Sequence, residues 1–165
     1  MPRFEIEQKY RIDSPAKIRK VLKQLKARKL FSKKEFNELY DRKSELFKKG
    51  SALRLRHYGK DKALLTFKGA TLRGPYKKRI EWETPVERNS TQEILRHVGF
   101  KKRAAYQKKR EEYKVGKAVV TLDYLKGHGW FVEIEASPSE IRRLENQMGL
   151  KAKDREEKTY VEMVS

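Results

Sequence analysis

The sequence predicts an α+β protein: an eight-stranded antiparallel β-barrel with a charged interior and helices packed outside. Apolar and charged residues alternate along eight segments, which is the pattern of strands with two different faces. Glycine-containing turns join several of these segments, as in hairpin-connected sheets. Amphipathic helical segments interrupt the strands, and their apolar stripes need a sheet face to cover. These observations favour an antiparallel barrel with helices outside it.

The first elements follow from local residue patterns. Residues 3–12 alternate apolar and charged side chains and predict a strand, after which Ser14 and Pro15 are a helix N-cap and first helical residue. Apolar positions at helical spacing extend this helix to about residue 28. Residues 44–50 predict a short helical turn closed by Gly50. The predicted strands are 3–12, 34–43, 52–58, 62–68, 76–86, 100–113, 117–125 and 130–136.

The second half is punctuated by helix signals and glycine. Ser90 to Glu93 forms a capping-box pattern that predicts a helix ending at Gly99. Ser137 to Glu140 repeats the pattern and predicts a helix to Met148, with Gly149 as its stop. The tail from Lys158 is expected to be helical. We expect residues 1–165 to form one domain, since this length suits one core.

Composition narrows the possible environments. The chain has no cysteine, so it has no disulfide framework and no thiolate metal site. It also has no apolar run of the ~20 residues that a membrane span needs, and no signal-peptide pattern. A cytoplasmic protein without a membrane partner is expected. The net charge of +19 is compatible with nucleic acid or phosphorylated small molecules, and the oligomeric state stays open.

The charged faces of the strands have an order that carries chemistry. Side chains two residues apart on a strand share a face. The residues grouped in this way are Glu5, Glu7 and Lys9; Arg54 and Arg56; Arg79, Glu81 and Glu83; Lys108, Arg110 and Glu112; Thr121 and Asp123; and Glu133 and Glu135. One interpretation is an open sheet whose charged face meets water. If helices cover the apolar side instead, the charged side becomes the interior of the barrel.

A charged interior would bring two kinds of ligand together. Carboxylates are hard oxygen ligands that suit Mg²⁺ or Mn²⁺. Arginine and lysine bind phosphate, arginine through its bidentate fork. Metal with basic side chains is the recurring apparatus of phosphoryl transfer. The three histidines, His57, His97 and His128, lack ligand spacing and are interpreted as structural or surface residues. Trp82 lies on the apolar face and is interpreted as core.

Several motifs in order resemble the CYTH superfamily, the triphosphate tunnel metalloenzymes. Glu5-Ile6-Glu7-Gln8-Lys9 resembles the ExExK signature that opens the family sequence. Further matching segments are Ala52-Leu53-Arg54-Leu55-Arg56, Thr66-Phe67-Lys68-Gly69, Lys78-Arg79-Ile80-Glu81-Trp82-Glu83, Lys109-Arg110-Glu111-Glu112-Tyr113, Leu122-Asp123, Phe131-Val132-Glu133-Ile134-Glu135 and Lys158-Thr159-Tyr160. The resemblance covers nearly the whole chain.

The resemblance implies a role for each matching residue. Glu5, Glu7 and Glu135 would hold a first Mg²⁺ or Mn²⁺, with Asp123 and Glu133 near a second metal or the attacking water. The residues that would bind the triphosphate are Lys9, Arg54, Arg56, Lys68, Arg79, Arg110 and Lys158. Glu133, Asp123 and Lys9 are the candidate catalytic residues. Part of the group Arg79, Glu81 and Glu83 is expected to form structural charge pairs.

The resemblance leaves several functions open. The first hypothesis is metal-dependent hydrolysis of inorganic tripolyphosphate or a nucleoside triphosphate. The alternative is a class IV adenylyl cyclase, which makes cyclic AMP and pyrophosphate from ATP. Thiamine triphosphatase ranks third, because animal thiamine enzymes have a Trp where this chain has Ala52. A non-catalytic polyphosphate- or RNA-binding module is a further alternative, supported by basic residues around the first helix. RNA binding is not favoured, since charge runs usually form a solvated face.

Overall fold

Eight antiparallel strands close into one barrel in the computed structural model, which describes residues 3–164. The strands are β1 (Arg3–Ile12), β2 (Arg28–Asp41), β3 (Ala52–His57), β4 (Lys62–Lys68), β5 (Lys77–Glu87), β6 (Lys101–Val115), β7 (Ala118–Leu125) and β8 (Gly129–Glu135). Their order around the barrel is β1-β5-β4-β3-β2-β6-β7-β8. The predicted barrel is therefore confirmed. Met1, Pro2 and Ser165, which belong to the predicted domain, lie outside the described residues.

Five helices accompany the barrel within the described range. They are α1 (Ala16–Gln24), α2 (Glu45–Lys48), α3 (Arg88–His97), α4 (Pro138–Met148) and α5 (Tyr160–Val164), with a short 3₁₀ turn at Ala152–Asp154. None of these helices has the length and apolar character needed to cross a membrane. The helix α4 begins as predicted: the Ser137 hydroxyl accepts a hydrogen bond from the Glu140 amide, and Gly149 ends the helix with a φ of 67°.

The main core lies between the barrel and the helices α1 and α4. Its buried residues come from both layers, and include Leu22 from α1, Leu122 and Val132 from the outer barrel face, and Leu144 from α4. A smaller core lies under α3, where Leu95 packs against the outer faces of β2, β3 and β4. Because the helices bury the apolar faces of the strands, the opposite, charged faces point into the barrel.

Three predicted boundaries are wrong. The first helix ends at Gln24 rather than near residue 28, Lys26 adopts a left-handed φ of 54°, and β2 starts at Arg28. The early start of β2 allows its backbone to pair with β6 along nearly its whole length. The helix α3 starts at Arg88, not at the Ser90 capping box, because the Glu87 carboxylate accepts hydrogen bonds from the amides of Asn89 and Ser90.

The prediction that Trp82 is a core residue is also wrong. Trp82 lies on the outer face of β5 opposite Phe67 of β4, and 47% of its surface is exposed. Phe4 of β1, on the same outer side, is 56% exposed. The alternation of apolar and charged residues assigned Trp82 to the correct face. However, the helices leave this part of the face uncovered.

Candidate functional site

The interior of the barrel is a cavity of about 590 Å³ to which all eight strands contribute. Among residues 3–164, ten basic and eight acidic side chains line it, so the interior is densely but almost evenly charged. The structure brings ten of the twelve predicted site residues to this wall. They are Glu5, Glu7, Lys9, Arg54, Arg56, Lys68, Arg79, Arg110, Glu133 and Glu135. Asp123 and Lys158 are the two that it does not.

Carboxylates concentrate where β1 pairs with β8. Glu7 of β1 lies directly opposite Glu135 of β8, and Glu5 is two residues away on the same face of β1. Like charges that face each other across two strands are destabilising. Burial raises the pKa of Glu7, and the negative charges of Glu5 and Glu133 raise it further. This side of the cavity is therefore an acidic wall, defined by Glu5, Glu7, Glu133 and Glu135. Its neighbouring carboxylates disfavour the charged form of Glu7, whereas Glu135 forms an ion pair with Arg3.

Two cations from β4 and β5 hold part of the acidic wall. The Lys68 ammonium lies 2.8 Å from both carboxylate oxygens of Glu5. The Arg79 guanidinium donates to Glu5 at 3.1 Å and to Glu7 at 2.9 Å. Lys68 also forms an ion pair with Glu81, in line with the predicted charge pairing on β5. Lys68 and Arg79 thus offset part of the negative charge of the acidic wall.

The acidic wall has the donor type that a divalent cation needs. Glutamate oxygens are the ligands preferred by Mg²⁺ and Mn²⁺. As the side chains stand, no three carboxylate or imidazole groups within residues 3–164 converge on one point. Binding of an ion therefore requires rotation of side chains, with Arg79 released from Glu5 and Glu7. In donor chemistry, Glu5, Glu7 and Glu135 fit such a metal.

A basic wall lies on β3, where Arg54 and Arg56 point into the cavity from one strand face. Arg54 donates to the Thr66 hydroxyl at 3.3 Å and lies 3.6 Å from the Glu83 carboxylate. Burial lowers the pKa of Arg56 to about 10, and the neighbouring charge of Arg54 contributes to this shift. Burial is the main cause of this shift and the charges of Arg54 and Arg110 add to it, so an anion bound in the cavity would favour the charged form of Arg56.

Asp123 lies behind the cavity wall and is fully buried. Its carboxylate accepts hydrogen bonds from Lys108 at 2.9 Å, from Arg110 at 2.7 Å and from the Tyr160 hydroxyl at 2.7 Å. Burial lowers the pKa of Lys108 to about 8, with Arg110 contributing to the shift. Arg110 also donates to Glu133 at 2.6 Å. Asp123 therefore orients two cations toward the cavity rather than lining it.

The C-terminal segment contributes to the wall through residues other than Lys158. The Lys158 side chain is exposed, and its backbone carbonyl accepts a hydrogen bond from the Lys9 ammonium at 2.5 Å. Tyr160, the first residue of α5, lines the cavity. The Lys9 and Lys108 ammonium groups lie 4.2 Å and 4.3 Å from the centre of its ring. These distances allow cation–π attraction, which holds both lysines in place.

Sequence reasoning missed the contribution of β2. Glu35 is buried, lies 3.5 Å from Arg56 and 4.0 Å from Arg110, and has no hydrogen-bond partner within the described residues. Asn37, on the same strand face, accepts a hydrogen bond from Arg56 at 3.3 Å. The alternation of Lys33, Glu35 and Asn37 was the available signal, because these residues share a strand face.

The family of the chain follows from a match over most of its length. Residues 3–160 match the CYTH domain model. The protein belongs to the CYTH family. A curated relative of this CYTH protein is "Putative adenylate cyclase MJ0240" of Methanocaldococcus jannaschii, 33% identical over 144 residues that cover 84% of this chain and 79% of the relative.

Solved structures share the whole fold. A crystal structure of "a putative adenylate cyclase" from Vibrio parahaemolyticus is 28% identical, covers 98% of each chain and superposes with a TM-score of 0.83. The PH1012 protein of Pyrococcus horikoshii OT3 is 25% identical, with 98% of this chain and 99% of that chain covered and a TM-score of 0.82. The CYTH barrel is thus preserved from end to end.

Proposed function

We propose that this CYTH protein hydrolyses a triphosphate, either inorganic tripolyphosphate or a nucleoside triphosphate, with Mg²⁺ or Mn²⁺ inside the barrel. The observation that carries the proposal is that a cluster of carboxylates and a pair of arginines line one cavity inside the barrel. A divalent cation would bind the carboxylates, and a triphosphate would bind the arginines. Burial and the neighbouring carboxylates raise the pKa of Glu7 although Arg79 donates to it, so the ion pairs of the cavity do not fully offset the repulsion at Glu7.

The basic side of the cavity supports binding of several phosphate groups. Arg54 and Arg56 offer planar forks that match phosphate oxygens bidentately. Lys9 and Arg110 add charge from β1 and β6, on other parts of the same wall. Asp123 acts as a positioning residue, because it fixes the guanidinium of Arg110 while lying off the wall itself. We do not include Lys158 among the phosphate ligands, because its side chain is exposed.

The acidic side supports the metal. Glu5, Glu7 and Glu135 would hold Mg²⁺ or Mn²⁺, and Lys68 and Arg79 would turn to phosphate when released from these carboxylates. When bound, the metal neutralises charge on phosphate oxygens during phosphoryl transfer. This exchange of partners explains why Lys68 and Arg79 can belong both to an ion-pair network and to a binding site.

The proposed reaction is attack of water on the terminal phosphorus. A new P–O bond forms to the water oxygen, the bridging P–O bond breaks, and its electron pair leaves with the diphosphate; the water proton passes to the products. Glu133 is the carboxylate placed to orient this water, because burial alone would raise its pKa but Lys108, Arg110 and Lys9 hold it below the usual value. Glu133 thus stays ionised and accepts hydrogen bonds. Lys9 lies directly opposite it on β1.

Adenylyl cyclase is the second candidate, favoured by the names of the Methanocaldococcus and Vibrio relatives. In that reaction a ribose 3′-hydroxyl attacks the innermost phosphorus, and pyrophosphate leaves. The same two walls would serve, with a different phosphorus presented to a different nucleophile. Hydrolysis and cyclisation are therefore distinguished by their products.

Product analysis tests the proposal. Purified protein is incubated with tripolyphosphate, ATP or thiamine triphosphate, each with Mg²⁺ or Mn²⁺. Glu7→Gln removes a proposed metal ligand, and Glu38→Gln, on the outer face of the barrel, is the matched control. Metal-dependent release of phosphate that Glu7→Gln abolishes and Glu38→Gln retains is expected. Formation of cyclic AMP and pyrophosphate from ATP would overturn the hydrolysis proposal in favour of the adenylyl cyclase. No turnover of any substrate would leave a binding module and refute the enzyme proposal.

A further inference from the structure

Most of the positive charge of the protein lies outside the cavity. The chain has 42 lysines and arginines against 23 aspartates and glutamates, and a net charge of +19. The cavity wall holds ten basic and eight acidic side chains. Binding of a triphosphate inside the barrel therefore accounts for little of this excess. The outer surface is where a second anionic partner would be recognised.

One row of residues on the outer surface combines charge with aromatic rings. Lys34 of β2 lies directly opposite Lys109 of β6, Lys109 opposite Tyr124 of β7, and Tyr124 opposite Trp130 of β8. These four residues, which we call the outer row, cross four adjacent strands. At the spacing of neighbouring strands, the outer row is about 14 Å long.

The cationic end of the outer row carries unbalanced charge. Lys34 and Lys109 are both exposed and face each other across the two strands, an arrangement that is destabilising for like charges. The neighbouring carboxylate on the same face of β6 is Glu111. It accepts from Arg19 at 2.5 Å, from Lys29 at 3.2 Å and from the Tyr113 hydroxyl at 2.7 Å, so its oxygens are already occupied. An external anion would relieve the repulsion between the two lysines.

The aromatic end of the outer row offers stacking surfaces. Tyr124 is 40% exposed, and its ring centroid lies 5.2 Å from that of Trp130, with the rings inclined by 52°. The Arg19 guanidinium lies 5.6 Å from the Trp130 ring centre. Lys126, just beyond the end of β7, is also exposed. An exposed aromatic beside cations on a sheet is the arrangement that stacks unpaired bases and contacts the adjoining phosphates.

We propose that the outer row is a binding site for single-stranded nucleic acid, with phosphates on Lys34 and Lys109 and a base stacked on Tyr124. A duplex does not present free base faces to such a row. An acidic peptide would use the lysines and leave the aromatic rings without a role. The site is separate from the cavity, since none of the four residues lines it, and it does not depend on the proposed enzymatic function.

The test measures binding of a fluorescently labelled twelve-nucleotide oligouridine by anisotropy over a range of KCl concentrations. Lys34→Gln with Lys109→Gln should lower the slope of log affinity against log salt by about 1.4, at about 0.7 for each phosphate that the protein no longer neutralises. Tyr124→Ala should weaken binding about tenfold without changing that slope, because stacking carries no charge. The matched control, Lys60→Gln with Lys62→Gln in the β3–β4 hairpin, should change neither quantity.

A second readout follows the stacking itself. The chain has two tryptophans, so Trp82→Phe leaves Trp130 as the single tryptophan fluorophore. Oligouridine should quench its emission, and Tyr124→Ala in the same background should reduce the quenching at a fixed oligonucleotide concentration. Circular dichroism and thermal unfolding check that each variant folds.

Several results would overturn the proposal. Equal weakening by the two lysine pairs would indicate diffuse attraction to a basic surface. Loss of binding in Arg54→Gln, with Tyr124→Ala unaffected, would locate the nucleic acid in the cavity. Inorganic polyphosphate binding as tightly as oligouridine would exclude a role for bases. Binding of the corresponding DNA oligonucleotide with the same dependence on Lys34, Lys109 and Tyr124 would support the proposal, because single strands of both kinds share phosphates and base faces.

Discussion

Buried carboxylates lie on both sides of the barrel wall, and their surroundings differ. Glu38, on the outer face under α3, accepts hydrogen bonds from Gln92 at 2.8 Å, Lys102 at 3.0 Å and Tyr40 at 3.0 Å. Glu7, on the inner face, is bound by Arg79 but lies directly opposite Glu135. Burial alone would raise the pKa of both groups. Hydrogen bonds bring the pKa of Glu38 down to about 2, whereas nearby carboxylates raise that of Glu7 further.

The difference distinguishes structural charge from the charge to which we assign a function. An outer carboxylate surrounded by donors stabilises the fold, because its partners are supplied by the protein. Glu7, on the inner face, is held by Arg79 but remains close to Glu5 and Glu133, so an added cation would improve its environment. The inner arrangement lowers the free energy of unfolding, and binding of a ligand would raise it again. Substitution of an inner carboxylate should therefore lower activity, whereas substitution of an outer carboxylate should lower the free energy of unfolding.

The largest expected effect is the loss of activity in Glu7→Gln. Removing a proposed metal ligand should lower kcat/KM for the best triphosphate by at least about 100-fold, since even partners outside the ligand set change activity by ~10–100-fold. Thermal stability should not fall, because the repulsion between Glu7 and its neighbouring carboxylates is relieved. Steady-state kinetics and calorimetry measure the two properties. A variant with normal kcat/KM and a lowered Tm would make Glu7 a structural residue.

The converse variant, Glu38→Gln, should affect stability alone. Losing the charge-assisted hydrogen bonds from Lys102 and Gln92 should cost about 2 kcal/mol of unfolding free energy. For a chain of this size, that cost corresponds to a decrease in Tm of about 4–8 °C. Urea unfolding gives the free energy, and kcat/KM should stay within about twofold of the unmodified protein. A large loss of activity without loss of stability would remove the contrast between the faces.

Acid unfolding should depend on the outer carboxylates together with Glu5 inside the barrel, whose pKa is also lowered to about 2. Glu38 and Glu111 both have a pKa of about 2 in the folded protein, below the ordinary value of 4.5. The unfolded chain therefore binds more protons between these values, and stability falls as the pH is lowered from 4.5 toward 2. Urea unfolding at pH 6, 4 and 3 should show this decrease, and Glu38→Gln should make it shallower. An unchanged pH dependence would mean that Glu38 is not held ionised by its partners.

The smallest effect is expected at Trp82. Because 47% of its surface is exposed, Trp82→Tyr should change the unfolding free energy by less than about 0.5 kcal/mol. Leu122→Ala, on a covered part of the outer face, should cost about 2–5 kcal/mol. Urea unfolding compares the two. Equal costs would indicate that the exposed part of β5 is covered in solution.

Alternation along the strands, together with amphipathic helices that need a sheet face to cover, predicted the barrel and its charged interior. It placed Glu5, Glu7 and Lys9 on one face of β1 and Arg54 and Arg56 on one face of β3, and the structure has both. Alternation predicts on which face of a strand a residue lies, but not whether a helix covers that residue. The prediction for Trp82 was wrong for this reason. Coverage depends on where the helices dock, and this is a property of tertiary packing.

The sequence also could not predict how deeply a side chain is buried in the barrel wall. Asp123 shares the inward face of β7 with Thr121, yet Lys108, Arg110 and Tyr160 enclose it. Tyr160 comes from the C-terminal helix, and no local pattern connects it to β7. Glu35 was missed for a related reason, because its partners Arg56 and Arg110 are on two other strands.

Binding of Mn²⁺, followed by electron paramagnetic resonance, tests the contrast between the two faces most directly. Unmodified protein, Glu7→Gln and Glu38→Gln are titrated in parallel without substrate. We expect the unmodified protein and Glu38→Gln to bind the ion with equal affinity, and Glu7→Gln to bind it at least about tenfold more weakly. Equal affinity in all three proteins, or no binding to the unmodified protein, would contradict the assignment of the inner carboxylates to a metal.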